Sequence, residues 1–76
     1  MNKTLDYYLK LPYTIVLKPG QEEGDGWLAE IPELPGCFTA GDTKEEALHL
    51  LEEAKRLWLE SNLAHGDPIP EPQTAL

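Results

Sequence analysis

The fold is decided by residues 26–51, which read GWLAEIPELPGCFTAGDTKEEALHLL. This stretch begins with a strand-like run at residues 27–31 and returns to a short apolar run at residues 37–40. Between the two runs lie Pro32 and Pro35, which have a fixed φ angle and no N–H group and therefore cannot sit inside a hydrogen-bonded ladder. The pattern predicts two strands joined by a proline corner.

A helix is predicted directly after the second of these strands. Thr43 and Glu46 have the spacing of a capping box, in which the hydroxyl accepts from a helical N–H and the carboxylate reaches back to the cap. Asp42 with Glu45 would serve nearly as well, so the start is defined to about one residue. The helix is predicted to run to about His65 and to end at a left-handed glycine, Gly66.

Residues 13–18 alternate in polarity and predict a strand that precedes these elements. The turn signals Pro19-Gly20 and Asp25-Gly26 bracket a polar loop, which is typical of an antiparallel hairpin. Trp27 is expected to be buried under the helix together with Tyr13 and Ile15. The fold class is therefore α+β: a three-stranded antiparallel meander packed on one long helix.

Both ends of the chain extend this core. Residues 2–10 have the apolar spacing of a short helix, and the proline-rich residues 67–72 predict an extended segment in which Ile69 docks as a short edge strand. The resulting order is β-β-β-α-β. We expect a single domain over residues 1–76, with its core at 12–72 and a frayed tail at 73–76.

The long helix has one broad apolar stripe at about 100° per residue. Its expected members, facing the sheet, are Ala47, Leu50, Leu51, Ala54, Leu57, Trp58 and Ser61. Three leucines, Leu48, Leu59 and Leu63, fall off this stripe. A small domain exposes some leucines without consequence, but it also gains stability from oligomerisation, so we predict a self-association surface at these three positions.

The composition restricts the class of protein. The 76 residues carry a net charge of −8 with only six lysines and arginines, which argues against autonomous binding to nucleic acid. No run approaches the roughly 20 apolar residues of a membrane span, and the N-terminus lacks the apolar core of a signal peptide. We expect a cytoplasmic protein. The single cysteine, Cys37, excludes an internal disulfide.

No set of residues predicts an active site. A two-metal nuclease needs converging carboxylates, usually with one on the first strand, and residues 13–17 have none. His49 with Glu52 and Glu53 has helical spacing for a metal pair but lacks a third ligand, and Cys37 has no nearby base. We therefore expect no cofactor, no metal and no enzymatic activity.

The residues from Gly26 to Cys37, GWLAEIPELPGC, followed by GDT at 41–43 and EEA at 45–47, resemble the HicB-like antitoxin family. The segment GDPIPEP at 66–72 resembles the C-terminal end of that module. The resemblance therefore covers about residues 13–72. It implies a partial ribonuclease-H-like fold without catalytic residues. It also implies a non-enzymatic protein that binds and masks a small basic ribonuclease toxin of the HicA type, and that forms dimers or larger assemblies.

Many members of the family also carry a C-terminal DNA-binding domain that represses their own operon. No such domain follows Pro72 in this sequence, so we do not predict operator binding. The charge suits a cationic toxin partner, and we predict that Glu22, Glu23 and Asp25 in the hairpin loop contribute to toxin binding. The alternative from another class is a solitary structural or interaction domain without a toxin. A small metal-dependent nuclease is the third reading.

Overall fold

The computed structural model describes residues 3–22 and 24–72. Along the chain it has a short helix α1 (Leu5–Leu9), three strands β1 (Val16–Pro19), β2 (Trp27–Glu30) and β3 (Phe38–Gly41), and a long helix α2 (Lys44–His65). The strands form one antiparallel sheet in the order β1-β2-β3. The predicted α+β architecture, a three-stranded antiparallel meander followed by a long helix, is confirmed.

The sheet has one covered and one open face. Ala29 and Ile31 on the predicted inner face are 0% and 2% exposed, whereas Leu28 on the opposite face is exposed. The expectation for Ile15 is wrong, because this side chain is 43% exposed. The reason is that the first strand begins only at Val16, while the backbone N–H of Thr14 is held by the carboxylate of Glu33 instead of by a neighbouring strand.

The proline corner connects β2 to β3 as predicted. The N–H of Ile31 donates to the carbonyl oxygen of Cys37 at 3.0 Å, and Leu34, between the two prolines, is 1% exposed in the core. The indole N–H of Trp58 donates to the carbonyl oxygen of Pro35 at 2.8 Å. The corner is therefore fixed from both sides, by the sheet and by the helix.

The two ends of α2 follow the sequence closely. The hydroxyl of Thr43 accepts from the N–H of Glu46 at 3.0 Å, and the Glu46 carboxylate accepts from the N–H of Asp42 at 2.9 Å, one residue before the cap. Gly66 ends the helix with φ 71°, a left-handed conformation that costs glycine little. Both predicted caps are confirmed.

The buried face of α2 differs from the predicted stripe. Its buried residues are Ala47, Leu51, Lys55 and Leu59. Leu57, which we placed on the core-facing stripe, is 66% exposed, and Leu50 is only half-buried. Leu59, which we placed on a self-association surface, is 0% exposed and belongs to the core.

The shift of this face has a physical cause in α1 and Lys55. Helix α1 packs against α2, and the ammonium of Lys55 donates to the carbonyl oxygen of Leu9 at 3.3 Å while lying 5.6 Å from the centre of the Tyr13 ring. The aliphatic stem of a lysine can line a core while its charged end finds a polar partner. A helical pattern that counts Lys55 as polar therefore turns the predicted buried face away from Lys55 and Leu59 and toward Leu57.

Helix α2 packs most closely on β3. A Cβ atom on Gly41 would lie 2.6 Å from the backbone nitrogen of Ala47, a distance that no side chain tolerates. Glycine at the end of β3 thus lets the first turns of the helix lie directly on the strand. Within the described residues, no helix is long and apolar enough to cross a membrane.

The predicted C-terminal edge strand does not form within residues 67–72. This segment instead meets the N-terminal part of the chain: the Tyr13 hydroxyl donates to the carbonyl oxygen of Pro70 at 2.6 Å, and Tyr7 and Lys3 both contact the carboxylate of Glu71. Three prolines remove the backbone donors that a strand would need. The frayed tail predicted at 73–76 lies outside the described residues.

Candidate binding cleft at the hairpin end of the sheet

The turn ends of the three strands converge at one edge of the molecule. Pro19, Trp27 and Gly41 lie side by side in the sheet register, and the β1–β2 loop and the start of α2 follow directly from this row. These elements enclose a concavity of about 450 Å³, here called the hairpin-end cleft. It is lined by Pro19, Gly20, Gln21, Glu22, Gly24, Gly26, Trp27 and Asp42.

The loop of the hairpin is held by its own backbone and by one aspartate. The N–H of Gly20 donates to the carbonyl oxygen of Gly26 at 2.8 Å and closes the hairpin. The Asp25 carboxylate accepts from the N–H of Glu22 at 3.0 Å, and the N–H of Asp25 donates to the carbonyl oxygen of Glu22 at the same distance. Asp25 therefore shapes the loop, and Glu22 is one of the residues that line the cleft.

The cleft combines an aromatic face with acidic groups. Trp27 is half-buried, and the ammonium of Lys44 lies 4.7 Å from the centre of its ring. A cation over a tryptophan face is favourable, and it is most so when partly desolvated. Glu22 and Asp42 also line the cleft, so it brings together aromatic and acidic residues, the two kinds of residue that favour a lysine or arginine side chain.

The predicted toxin-binding residues are only partly placed by the structure. Glu22 and Asp25 lie together in the hairpin loop, and Glu23 lies outside the described residues. The alternation of β2 predicts only a core position for Trp27, and helix capping accounts for Asp42, so the sequence pattern indicates a site at neither residue. The signal that could have found them is the sheet register, which aligns the end of the hairpin with the start of the helix.

The predicted self-association residues do not share one exposed surface. Leu59 is buried, Leu63 is half-buried and packs against the core, and Leu48 is half-buried at the first turns of α2. The prediction for Leu59 is therefore wrong, because a side chain with no exposed area within one chain cannot contact a second copy. Self-association through Leu48 and Leu63 stays a prediction.

The remaining titratable groups have local roles. His49 and Glu53 face solvent with 3.8 Å between ring nitrogen and carboxylate oxygen, and the Arg56 guanidinium pairs with Glu60 at 3.0 Å. Burial raises the pKa of the Cys37 thiol, which suits a packed side chain better than a nucleophile. No group of three or more histidine, cysteine, aspartate or glutamate side chains converges within residues 3–22 and 24–72.

A second concavity of about 310 Å³ lies beside α1 and the outer side of α2. Its lining residues are Leu9, His49, Glu52, Glu53 and Arg56. It mixes both signs of charge and has no aromatic face. The hairpin-end cleft is therefore the stronger candidate for binding a partner.

A family model for the HicB-like antitoxin of bacterial toxin–antitoxin systems matches residues 13–75. The chain is also similar to the UPF0150 protein Ta0767 of Thermoplasma acidophilum, with 40% identity over 60 residues that cover 79% of this chain and 84% of the relative. Two Synechocystis proteins, the UPF0150 proteins ssl0259 and ssr1765, are 45% and 41% identical over 76% and 78% of this chain and 77% and 72% of their own lengths. No solved structure matches it significantly.

These matches define the class of protein as a small antitoxin-type module. The chain belongs to the HicB-like antitoxin family.

Proposed function

We propose that this protein is the antitoxin of a toxin–antitoxin pair and inhibits a small basic ribonuclease toxin of the HicA type by binding it directly. Membership of an antitoxin family implies a toxin partner in general. The observation that carries the finer proposal is the hairpin-end cleft, in which Glu22 and Asp42 line the same concavity as Trp27. A net charge of −8 steers a cationic partner toward the molecule.

In this proposal a basic side chain of the toxin enters the cleft and takes the position over Trp27 that Lys44 occupies in the free protein. The exchange replaces one cation by another over the same ring, so the aromatic contact is retained. The incoming cation additionally gains the carboxylate of Glu22. Inhibition then follows from occupying the basic surface that the toxin needs for RNA.

The protein itself is proposed to be non-enzymatic and to act in the cytoplasm as a single domain without a cofactor. The β-β-β-α order agrees with a partial ribonuclease-H-like module, and β1, with the sequence VLKP, carries no carboxylate for a metal-dependent reaction. The cysteine and the two histidines have structural or solvent-facing positions. These features support an inhibitor that works by occupying a surface.

The test takes the product of the reading frame next to this gene, purifies it and this chain, and measures the dissociation constant by calorimetry at several salt concentrations. Glu22→Gln removes one charge from the cleft at constant shape, and Glu52→Gln removes the same charge from the exposed side of α2. We expect Glu22→Gln to weaken binding about three- to tenfold at low salt, mainly through the association rate. The control variant should stay within about twofold.

Equal effects of Glu22→Gln and Glu52→Gln would mean that overall charge acts and the cleft does not. Failure of the purified chain to bind or inhibit the neighbouring protein, together with no basic protein captured from its own cell extract, would overturn the antitoxin proposal in favour of a solitary interaction domain. RNA cleavage by the purified chain alone, dependent on magnesium, would show an enzyme instead.

A further inference from the structure

We propose that the hairpin-end cleft is a site for a guanidinium group, so that the side chain it takes from a basic partner is arginine and not lysine. This selectivity rests on the proposed function, in which a basic partner enters the cleft. It adds the chemical identity of the group that displaces Lys44 from the face of Trp27. The two can be tested separately, because short peptides can stand in for the partner.

Lys44 is held over Trp27 by the ring alone. It is the first residue of α2, and its ammonium lies 4.7 Å from the ring centre. No ion pair among residues 3–22 and 24–72 includes Lys44. The first turn of a helix favours anions over cations, so the helix end does not hold the ammonium either. A cation–π contact at an exposed site is weak, and Lys44 is therefore displaceable.

A lysine of the partner gains little by replacing Lys44. Both side chains end in the same ammonium group, so the ring contact that forms equals the ring contact that is lost. Lys44 also has the advantage of its tether, since a group on a short linker is present at an effective concentration on the order of millimolar. Lys44 therefore sets an affinity threshold that a second ammonium does not pass at the ring.

An arginine of the partner gains a contact that Lys44 does not make. Its guanidinium is planar and stacks on an aromatic face, and its N–H groups pair with a carboxylate through two parallel hydrogen bonds. Glu22 and Asp42 line the same concavity as Trp27, and neither forms an ion pair within the described part of the chain. The cleft thus contains the aromatic face and the carboxylates that a guanidinium combines.

Two other kinds of cation fit the cleft less well. A methylated ammonium is recognised by a cage of several aromatic rings, whereas Trp27 is the one aromatic residue among the described residues that line this cleft. A divalent metal ion takes several converging oxygen ligands. No group of three or more histidine, cysteine, aspartate or glutamate side chains converges in the described ranges. A guanidinium is therefore the cation that this set of residues suits best.

The test titrates the full chain with a tri-arginine amide and with a tri-lysine amide, which carry the same charge, in about 0.15 M salt. Nuclear magnetic resonance follows binding through the indole N–H signal of Trp27. The indole N–H of Trp58, which is bonded to Pro35, is the internal reference. We expect the tri-arginine peptide to bind at least about fivefold more tightly and to shift the Trp27 signal while the Trp58 signal stays in place.

Two variants that lose the same charge test the part of the carboxylates. Asp42→Asn removes a carboxylate from the lining of the cleft, and Glu45→Gln removes one from the first turn of α2 outside that lining. We expect the preference for the tri-arginine peptide to fall about two- to threefold in Asp42→Asn and to stay within about 1.5-fold in Glu45→Gln. An equal fall in both variants would show that charge alone sets the preference and would overturn the proposal.

A second measurement uses the unaltered chain. Protons above the face of an indole ring are shifted upfield by its ring current, so the terminal methylene protons of Lys44 should have upfield signals in the free chain. The tri-arginine peptide should return these signals to their ordinary position, and the tri-lysine peptide at the same concentration should do so far less. Peptides that bind equally well, or tri-arginine binding that leaves the Lys44 signals unchanged, would overturn the proposal.

The outcomes also separate this selectivity from the proposed function. Inhibition of the toxin by a chain that shows no preference for the tri-arginine peptide would leave the proposed function standing and overturn the selectivity. A clear preference for tri-arginine in a chain that binds no toxin would support the selectivity and overturn the proposed function.

Discussion

The indole N–H of Trp58, in the middle of α2, donates a hydrogen bond of 2.8 Å to the carbonyl oxygen of Pro35 in the corner between β2 and β3. Pro35 follows Leu34, which is almost fully buried. The bond therefore links the segment that joins the two strands to the helix that covers them. The carbonyl group of Pro35 lies in a turn, where no neighbouring strand can donate to it. The indole N–H supplies its hydrogen-bond donor instead.

We expect Trp58→Phe to lower the free energy of unfolding by about 0.5–1.5 kcal/mol, because an aromatic ring is kept while the exposed carbonyl oxygen of Pro35 exchanges its indole donor for water. Urea unfolding followed by far-ultraviolet circular dichroism measures the change. Leu57→Ala, at an exposed neighbouring position, is the control and should stay within about 0.5 kcal/mol. A loss for Trp58→Phe no larger than for the control would show that the bond does not stabilise the corner.

Most of the fold is predictable from the sequence because its signals are local. Pro32 and Pro35 exclude a ladder, Thr43 with Glu46 caps a helix, and Gly66 ends it, and each of these effects depends on residues a few positions apart. The structure agrees with them to within about one residue. Local backbone chemistry thus suffices for the proline corner and for both ends of α2, but not for the start of β1, which lies at Val16 and not at residue 13.

The orientation of α2 is not predictable in the same way, because it depends on contacts from distant parts of the chain. Lys55 is buried only because the carbonyl oxygen of Leu9 and the ring of Tyr13 receive its ammonium. Neither partner is visible in the helical pattern. The hairpin-end cleft is not predictable from local patterns for the same reason. Trp27 and Asp42 come together only because the three strands pair in this register.

The corrected orientation of α2 makes a prediction about two leucines. Leu59→Ala should cost about 2–5 kcal/mol of unfolding free energy, because Leu59 has no exposed area and its truncation leaves a cavity. Leu57→Ala should cost no more than about 0.5 kcal/mol. Both are measured at one protein concentration, since association adds to apparent stability. A larger loss of unfolding free energy for Leu57→Ala than for Leu59→Ala would contradict this orientation of α2 and support the one that the sequence pattern predicts.

A further prediction concerns alkaline pH and Tyr13. Burial, with a smaller contribution from the charge of Glu71, raises the pKa of Tyr13 to about 12 from 10.0. The pKa of Tyr13 in the folded state lies above its unfolded value. The protonated hydroxyl therefore stabilises the folded state fully below pH 10.0, and this contribution is lost as pH rises from there to about 12. The hydroxyl that donates to Pro70 then no longer has its proton.

Near-ultraviolet absorbance of tyrosinate during an alkaline titration measures this loss. The step that occurs at the highest pH should disappear in Tyr13→Phe and remain in Tyr7→Phe, the control. Denaturant midpoints measured at pH values between these two pKa values should fall for the unaltered chain and stay flatter for Tyr13→Phe. Persistence of the highest step in Tyr13→Phe would assign it to another tyrosine.

The last prediction concerns acid pH and the attachment of the C-terminal segment. The carboxylate of Glu71 accepts from the ammonium of Lys3 and from the hydroxyl of Tyr7, the latter at 2.9 Å. These bonds, that of Lys3 first, lower the pKa of Glu71 from its ordinary 4.5. A lowered folded pKa means that the stabilisation is present above pH 4.5 and is lost as pH falls through the folded value.

We therefore expect the protonated Glu71 to release Lys3 and Tyr7 below this pH, while the hydrogen bond from Tyr13 to Pro70, the sheet and α2 remain intact. Nuclear magnetic resonance titration should give a Glu71 midpoint below 4.5, with the ring signals of Tyr7 changing at the same pH. Glu71→Gln should show the acid-state Tyr7 signals already at neutral pH, and high salt should raise the Glu71 midpoint toward 4.5 because all three groups are exposed. A Glu71 midpoint at or above 4.5 would mean that the carboxylate is not held by Lys3 and Tyr7 in solution.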